Sequence, residues 1–391
     1  MTVLIRGGEI FSPEPLGRMD LFSLHSRIAA TASEMDAGEV AKLFPSLRVL
    51  SAEGCYVLPG FIDQHVHFNG GGGEGGPRYR TPPLELGSFL RGGVTSAVGL
   101  LGTDGIARSL EELLLKARGL EEEGISTWIL SGSYEIPSPT LTGSIPRDLM
   151  LIDKVLGVKI ALSDHRADYP SFSQLARLCS ETKRGALLAG KAGIITVHLG
   201  SGKRGLRDLL EIVEKTEIPI TQFVPTHLSR TPELLEEALE FGKRGGYVDI
   251  TTGSPEEGLA ESAGAVAKLY REGVPLERIT LSSDGNGSLP KFDASGKMTE
   301  IGIGSVSGIY HNLVHLVRHH GFDLEKAARL SSTNVAEHLE LSRKGRIEKG
   351  MDADLVVLDA KTLEIRHVLA KGEIMMEEGK LLKKGTFEED R

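Results

Sequence analysis

Two histidines one residue apart, His65 and His67, close the segment Pro59-Gly-Phe-Ile-Asp-Gln-His-Val-His. In an extended strand positions i and i+2 face the same way, so both imidazoles can converge on one ion. Alone the pair says little, because twelve scattered histidines would produce about 0.4 such pairs by chance. Its weight comes from other residues placed at the ends of later β-rich runs: Lys159, His198, His227 and Asp284. Lys159 is the odd member, set inside Val-Leu-Gly-Val-Lys-Ile-Ala-Leu. A buried ammonium is costly unless paired or neutralised. A neutral buried amine can combine with carbon dioxide to give a carbamate, an anionic ligand suited to bridging two cations. Six such groups meeting at one rim would make a metal centre.

Other patterns are weaker. His311, His315 and His319 share a helix spacing, but Asn312 stands where a zincin helix needs its glutamate; a polar helix face is expected. Gly185 to Lys191 approaches a phosphate-binding loop, yet Ala192 replaces the required Ser or Thr and a strand follows. No G-x-S-x-G elbow supports a serine nucleophile.

Positioning those groups takes a particular architecture. Eight β-rich runs recur, at 56–67, 94–101, 127–131, 158–162, 194–199, 221–227, 247–252 and 279–284, roughly 25–40 residues apart, the length of one βα unit. Between them Leu110 to Glu123 and Thr231 to Gly245 carry Leu and Ala at helical spacing, with Pro232 at a start and Gly245 at a stop. The expected fold class is α/β, a (β/α)8 TIM barrel over 56–343, because the barrel's C-terminal rim is where such polar residues gather. Residues 1–55 and 344–391 hold short strands and are expected to join into one small β-sandwich domain.

Composition agrees. A 391-residue chain with 40 % hydrophobic and 25 % charged residues supports a large core. Its 48 glycines, about 12 % against a usual ~7 %, fit many tight turns. A net charge of −9 without a basic tract argues against nucleic acid. Charge clusters at Glu121 to Glu123 and Lys383 to Arg391 read as solvated surface or a tail. Cys55 and Cys179, far apart, fit a reducing cytoplasm. Neither a leader nor a membrane span is evident, so a cytoplasmic location is expected.

The residues now resemble a known family. The first-strand segment around His65 and the run Gly350-Met-Asp-Ala-Asp-Leu-Val-Val are similar to the amidohydrolase superfamily, and within it the chain resembles the isoaspartyl dipeptidases along almost its whole length. The matching segments are Gly70 to Pro77, Gly99 to Asp104, Gly157 to Arg166, Pro225 to Arg230 and Leu281 to Ser288. The resemblance implies a metal-dependent omega-type dipeptidase with two Zn2+ per subunit. His65, His67 and Asp284 would hold the first, His198 and His227 the second, and Lys159 as N6-carboxylysine would bridge them. A hydroxide shared by the ions would attack, Asp284 would shuttle the proton, and Tyr134 would donate to the oxyanion. Glu74 on its glycine loop would take the substrate ammonium, and Arg166 and Arg230 its two carboxylates. Gly72, Gly73, Thr103 and Ser288 would also touch the dipeptide. A homo-oligomer, an octamer by resemblance, is expected. The alternatives are a cyclic amidohydrolase of the hydantoinase or dihydroorotase kind, which Glu74 disfavours because a cyclic amide has no ammonium, and a metal-free scaffolding relative, which metal analysis would reveal.

Overall fold

The computed structural model describes residues 1–252, 256–293 and 298–389. Eight parallel strands form its centre: β1 (Phe61–Val66), β2 (Val94–Gly99), β3 (Ser126–Gly132), β4 (Val155–Leu162), β5 (Ile194–Leu199), β6 (Phe223–Thr226), β7 (Val248–Thr251) and β8 (Ile279–Ser282). The first six make one sheet in sequential order, and β7 pairs with β8. The two pieces join at both ends. Thr226 Oγ1 donates to Asp249 Oδ2 at 2.7 Å. On the other side Val66 bridges Gly285, and the His67 amide donates to the Gly285 carbonyl at 2.9 Å. The result is a curled parallel sheet of the (β/α)8 type.

Burial explains why these segments are strands. All eight residues of β4 are buried, as a strand covered on both faces must be, which is why parallel strands read as continuous apolar runs. Helices wrap the outside: α1 (Leu86–Arg91), α2 (Leu110–Glu123), α3 (Ile145–Leu151), α4 (Phe172–Ala189), α5 (Arg207–Lys215), α6 (Pro232–Lys243), α7 (Glu256–Arg271) and α8 (Gly308–His320). Their starts are chemically marked. Ser109 accepts from the Glu112 amide before α2, Ser171 and Gln174 form a capping box before α4, and Thr231 accepts from the Leu234 amide before α6. The phosphate-loop look-alike is the end of α4, closed by a left-handed Gly190.

The run expected as one strand over 56–67 is two. Cys55–Pro59 pairs antiparallel with Leu355–Asp359 in a nine-stranded terminal sheet, while Phe61–Val66 is β1. Gly60 lies between, its amide donating to the Asp354 carbonyl at 2.8 Å. Both chain ends feed one buried cluster that includes Val3, Ile5, Leu21, Val57, Leu355 and Leu369, the small β-sandwich beside the barrel. Lys344 pins the seam: its ammonium contacts Ser126 Oγ at 2.7 Å, Asp352 at 2.9 Å, and Asp354.

Two clusters expected to be solvated have structural partners. Glu121 pairs with Lys154, and Glu123 Oε1 accepts from the Thr386 amide at 2.8 Å. Of the stretch Lys383 to Arg391, positions 390 and 391 lie outside the described residues. Among the described residues, no helix is long and apolar enough to cross a membrane.

Candidate metal centre

β1 delivers His65 and His67 at its C-terminal end, and Asp284 arrives just past β8. Asp284 Oδ1 stands 3.3 Å from His65 Nε2 and 3.1 Å from His67 Nε2. One ligand atom from each lies within 4.8 Å of the others. Asp284 Oδ1 is buried without a hydrogen-bond partner. An unpartnered carboxylate oxygen facing two imidazole nitrogens suits a cation. Lys159, fully buried on β4, places Nζ 3.0 Å from His65 Nε2. Burial pushes its amine down to about 7, against the opposing pull of Asp284 and Asp249.

The neighbouring pair is built differently. His227 follows β6 with φ +65°, and Asp284 has φ +48°; left-handed backbone at non-glycine residues is strained and concentrates at functional sites. His227 Nδ1 is 2.6 Å from Thr251 Oγ1, and its Nε2 is buried without a partner. The His227 ring centroid lies 5.3 Å from that of His65 and 4.6 Å from that of His198. His198, in contrast, has both nitrogens engaged: Nε2 lies 2.9 Å from Asp164 Oδ2 and Nδ1 lies 2.6 Å from the Tyr134 hydroxyl. Burial, reinforced by neighbouring cations, holds His65, His198 and His227 well below the usual imidazole range. They are therefore neutral at pH 7, the form that ligates metal. Burial also pushes the Tyr134 phenol up, so it stays a donor.

A cavity of about 710 Å³ opens over this centre, with His67, Tyr134, His198 and Asp284 on its wall. Gly72, Glu74, Thr103, Arg166, Arg230 and Ser288 also line it. Gly73 is absent from the wall, its amide donating to the Tyr79 carbonyl at 3.2 Å. Gly72 needs its freedom: φ is +74°, and an added Cβ would lie 2.4 Å from the Tyr79 oxygen. Glu74 Oε1 accepts from Thr103 (3.2 Å), Arg166 (3.0 Å) and Ser288 (2.7 Å), while Oε2 is buried and unpartnered. Arg230 Nη1 donates to the Leu199 carbonyl at 2.8 Å. His311, His315 and His319 lie on α8, away from this wall.

Several buried groups escaped the sequence reading. Asp164 takes a side-on pair of hydrogen bonds from Arg166, Nε to Oδ1 at 2.9 Å and Nη2 to Oδ2 at 2.8 Å. Burial alone would raise its carboxyl, but hydrogen bonds from Arg166 and His198 hold it well below the usual range. Asp63 accepts from the amides of Ser283 (3.1 Å) and His65 (3.3 Å), locking the ends of β8 and β1 together; burial raises its carboxyl to about 7. Asp249 gathers Gln64, Thr226, Thr280 and Ser282 beneath the site. A carboxylate inside an otherwise apolar strand, as in Phe-Ile-Asp63 and Val-Asp249-Ile, was the available signal for the last two.

The amidohydrolase family model matches residues 56–375. The chain belongs to the amidohydrolase family. It is also similar over its whole length to a β-aspartyl dipeptidase from Fervidobacterium islandicum AW-1, solved in complex with β-Asp-Leu. Identity is 43 % and TM-score 0.92, covering 99 % of this chain and 100 % of that one. A dihydropyrimidinase from Brevibacillus agri NCHU1002 shares the fold at TM-score 0.68 and 17 % identity, covering 98 % and 97 %. An adenine deaminase from Geobacillus kaustophilus is 27 % identical over 85 % of this chain, which spans about half (51 %) of that relative's length. An allantoinase from Deinococcus radiodurans is 25 % identical over 92 % of this chain and 86 % of its own. The amidohydrolase architecture and the His-His-Asp cluster together make this a metal-dependent hydrolase.

Proposed function

We propose that this amidohydrolase is a binuclear zinc dipeptidase that cleaves the β-peptide bond of isoaspartyl dipeptides. The observation that carries the reading is Glu74. Its Oε2 is a buried, unpaired carboxylate oxygen on the same cavity wall as Arg166, Arg230 and Asp284. An isoaspartyl dipeptide offers one ammonium and two carboxylates, a charge set that this wall complements. The similarity to a β-aspartyl dipeptidase at 43 % identity supports the same choice.

His65, His67 and Asp284 would hold one ion and His227 and His198 the other. Lys159 would bridge them as the carbamate: its neutral Nζ attacks carbon dioxide, an N–C bond forms and one proton leaves. Bound ions supply Lewis acidity, which furnishes a nucleophile from water at neutral pH and favours the developing oxyanion. Asp284 has Oδ1 directed at the histidines, which leaves Oδ2 to take the proton and return it to the departing amine. Tyr134, kept protonated by burial, donates its hydroxyl toward the oxyanion. Arg166 already meets Asp164 side-on, so Arg230 is the better placed of the two for a bidentate grip on a carboxylate.

Glu74→Gln keeps the shape and removes the charge. It is expected to lower kcat/KM for β-Asp-Leu by roughly 10- to 150-fold, the worth of a charge-assisted hydrogen bond of about 1.5–3 kcal/mol. An unchanged kcat/KM would remove the ammonium role.

A further inference from the structure

We propose that Asp164 is the positioning residue that ties the substrate clamp to the second half of the metal centre; its substrate arm rests on the isoaspartyl substrate proposed above, its metal arm only on the two-ion centre proposed there. Asp164 lies on the loop leaving β4, the strand of Lys159, and its side chain is 4 % exposed. Oδ1 accepts from the Arg166 amide and from Arg166 Nε, both at 2.9 Å. Oδ2 accepts from Arg166 Nη2 at 2.8 Å and stands 2.9 Å from His198 Nε2. One carboxylate thus faces both a substrate-binding arginine and an imidazole of the metal centre.

The backbone leaves this carboxylate no room to withdraw. Ser163 turns the chain with φ +55°, and the loop after β5 is pressed against it. A Cβ on Gly200 would lie 2.5 Å from the Ser163 carbonyl oxygen and 2.6 Å from Asp164 Cα. The Gly202 amide donates to the Ser163 carbonyl at 2.7 Å, and the Gly205 amide to Ser163 Oγ at 3.0 Å.

On the metal side, an anion at Nε2 keeps the His198 proton there and leaves the lone pair on Nδ1. An imidazole that donates to a carboxylate is oriented and made more basic as a ligand. Arg166 Nη2 and Arg230 Nη1 lie 3.4 and 3.3 Å from the same Nε2. Without the Asp164 charge those donors would draw the lone pair to Nε2 and move the proton to Nδ1, the nitrogen an ion needs. Nδ1 lies 2.6 Å from the Tyr134 hydroxyl. On the substrate side, Asp164 fixes the Nε–Nη2 edge of Arg166, so Nη1 reaches Glu74 Oε1 at 3.0 Å. Asp164 therefore aims both the ammonium site and the second metal ligand.

The test is a zinc titration of the metal-free full chain, with bicarbonate, against a chromophoric chelator. The wild type is expected to take two equivalents. Asp164→Asn is expected to hold the first as the wild type does and to bind the second about 10- to 100-fold more weakly. At saturating zinc its KM for β-Asp-Leu is expected to rise by about tenfold, more than kcat falls. Wild-type affinity for both ions in the variant, or a wild type that takes up a single equivalent, overturns the proposal. If Asp164→Asn melts below the assay temperature, Asp164→Glu, which keeps the charge and displaces it by one methylene, is read in its place. The same weakening is expected there, and wild-type constants overturn the idea. A wild type that binds two ions yet leaves β-Asp-Leu intact sinks the dipeptidase reading, while the titration still decides the metal role of Asp164.

Discussion

Lys159 has the most demanding surroundings of any residue in the site. Its amine is fully buried, and that burial brings it down to about 7, so the reactive neutral form grows as pH rises through that value. At pH 6 about a tenth is neutral and at pH 8 about nine tenths. Zinc uptake by metal-free protein in bicarbonate is therefore expected to be roughly tenfold faster at pH 8 than at pH 6, with Lys159→Ala taking up less metal at both and showing no turnover. Metal analysis over time reads both arms. An uptake rate independent of pH, or wild-type zinc content in Lys159→Ala, would contradict the bridging role. Lys159 inside β4 and the strand-end histidines and aspartate were legible because such residues stand out in apolar runs. Asp164 was not, since an acid two residues from an arginine in a loop reads as an ordinary surface pair. Only the fold shows that His198 faces the same carboxylate.

Among the elements, the strands were legible for a physical reason: segments buried on both faces have to be largely apolar, as β4 is apart from Lys159 and β5 apart from Thr196 and His198. Helix α2 was legible from its Leu and Ala at helical spacing among charges, and its expected limits, Leu110 to Glu123, are those observed. The break at Gly60 was hidden, because both sides of it are buried, so hydropathy does not change where the chain leaves one sheet for another. The seam itself depends on Lys344, whose side chain is 5 % exposed between Asp352 and Asp354. Removing one member of a buried ion cluster leaves uncompensated charge. Lys344→Met is therefore expected to destabilise the protein by about 3–5 kcal/mol. Chemical denaturation measures it, and a loss under about 1 kcal/mol would show that water reaches the two acids.

For the whole molecule, the barrel brings five strand ends to one rim and the terminal sheet joins the two ends of the chain. The outer surface is less complete. Met150 and Leu151 at the end of α3, and Leu187 and Leu188 near the end of α4, are half or more exposed. They share a corner, since Lys191 Nζ donates to the Leu149 and Ile152 carbonyls. Such a patch suits contact between copies. We propose a homo-oligomer, with the octamer as the expected mass by light scattering; a monomer at micromolar concentration would oppose it. The dipeptidase assignment turns on the linkage that is cut. After zinc has been quantified, β-Asp-Leu and α-Asp-Leu should be offered in parallel and leucine release followed. The β-linked dipeptide is predicted to be hydrolysed and the α-linked one left essentially intact; equal rates on both, or an inert β-linkage beside an opened cyclic amide, would contradict it.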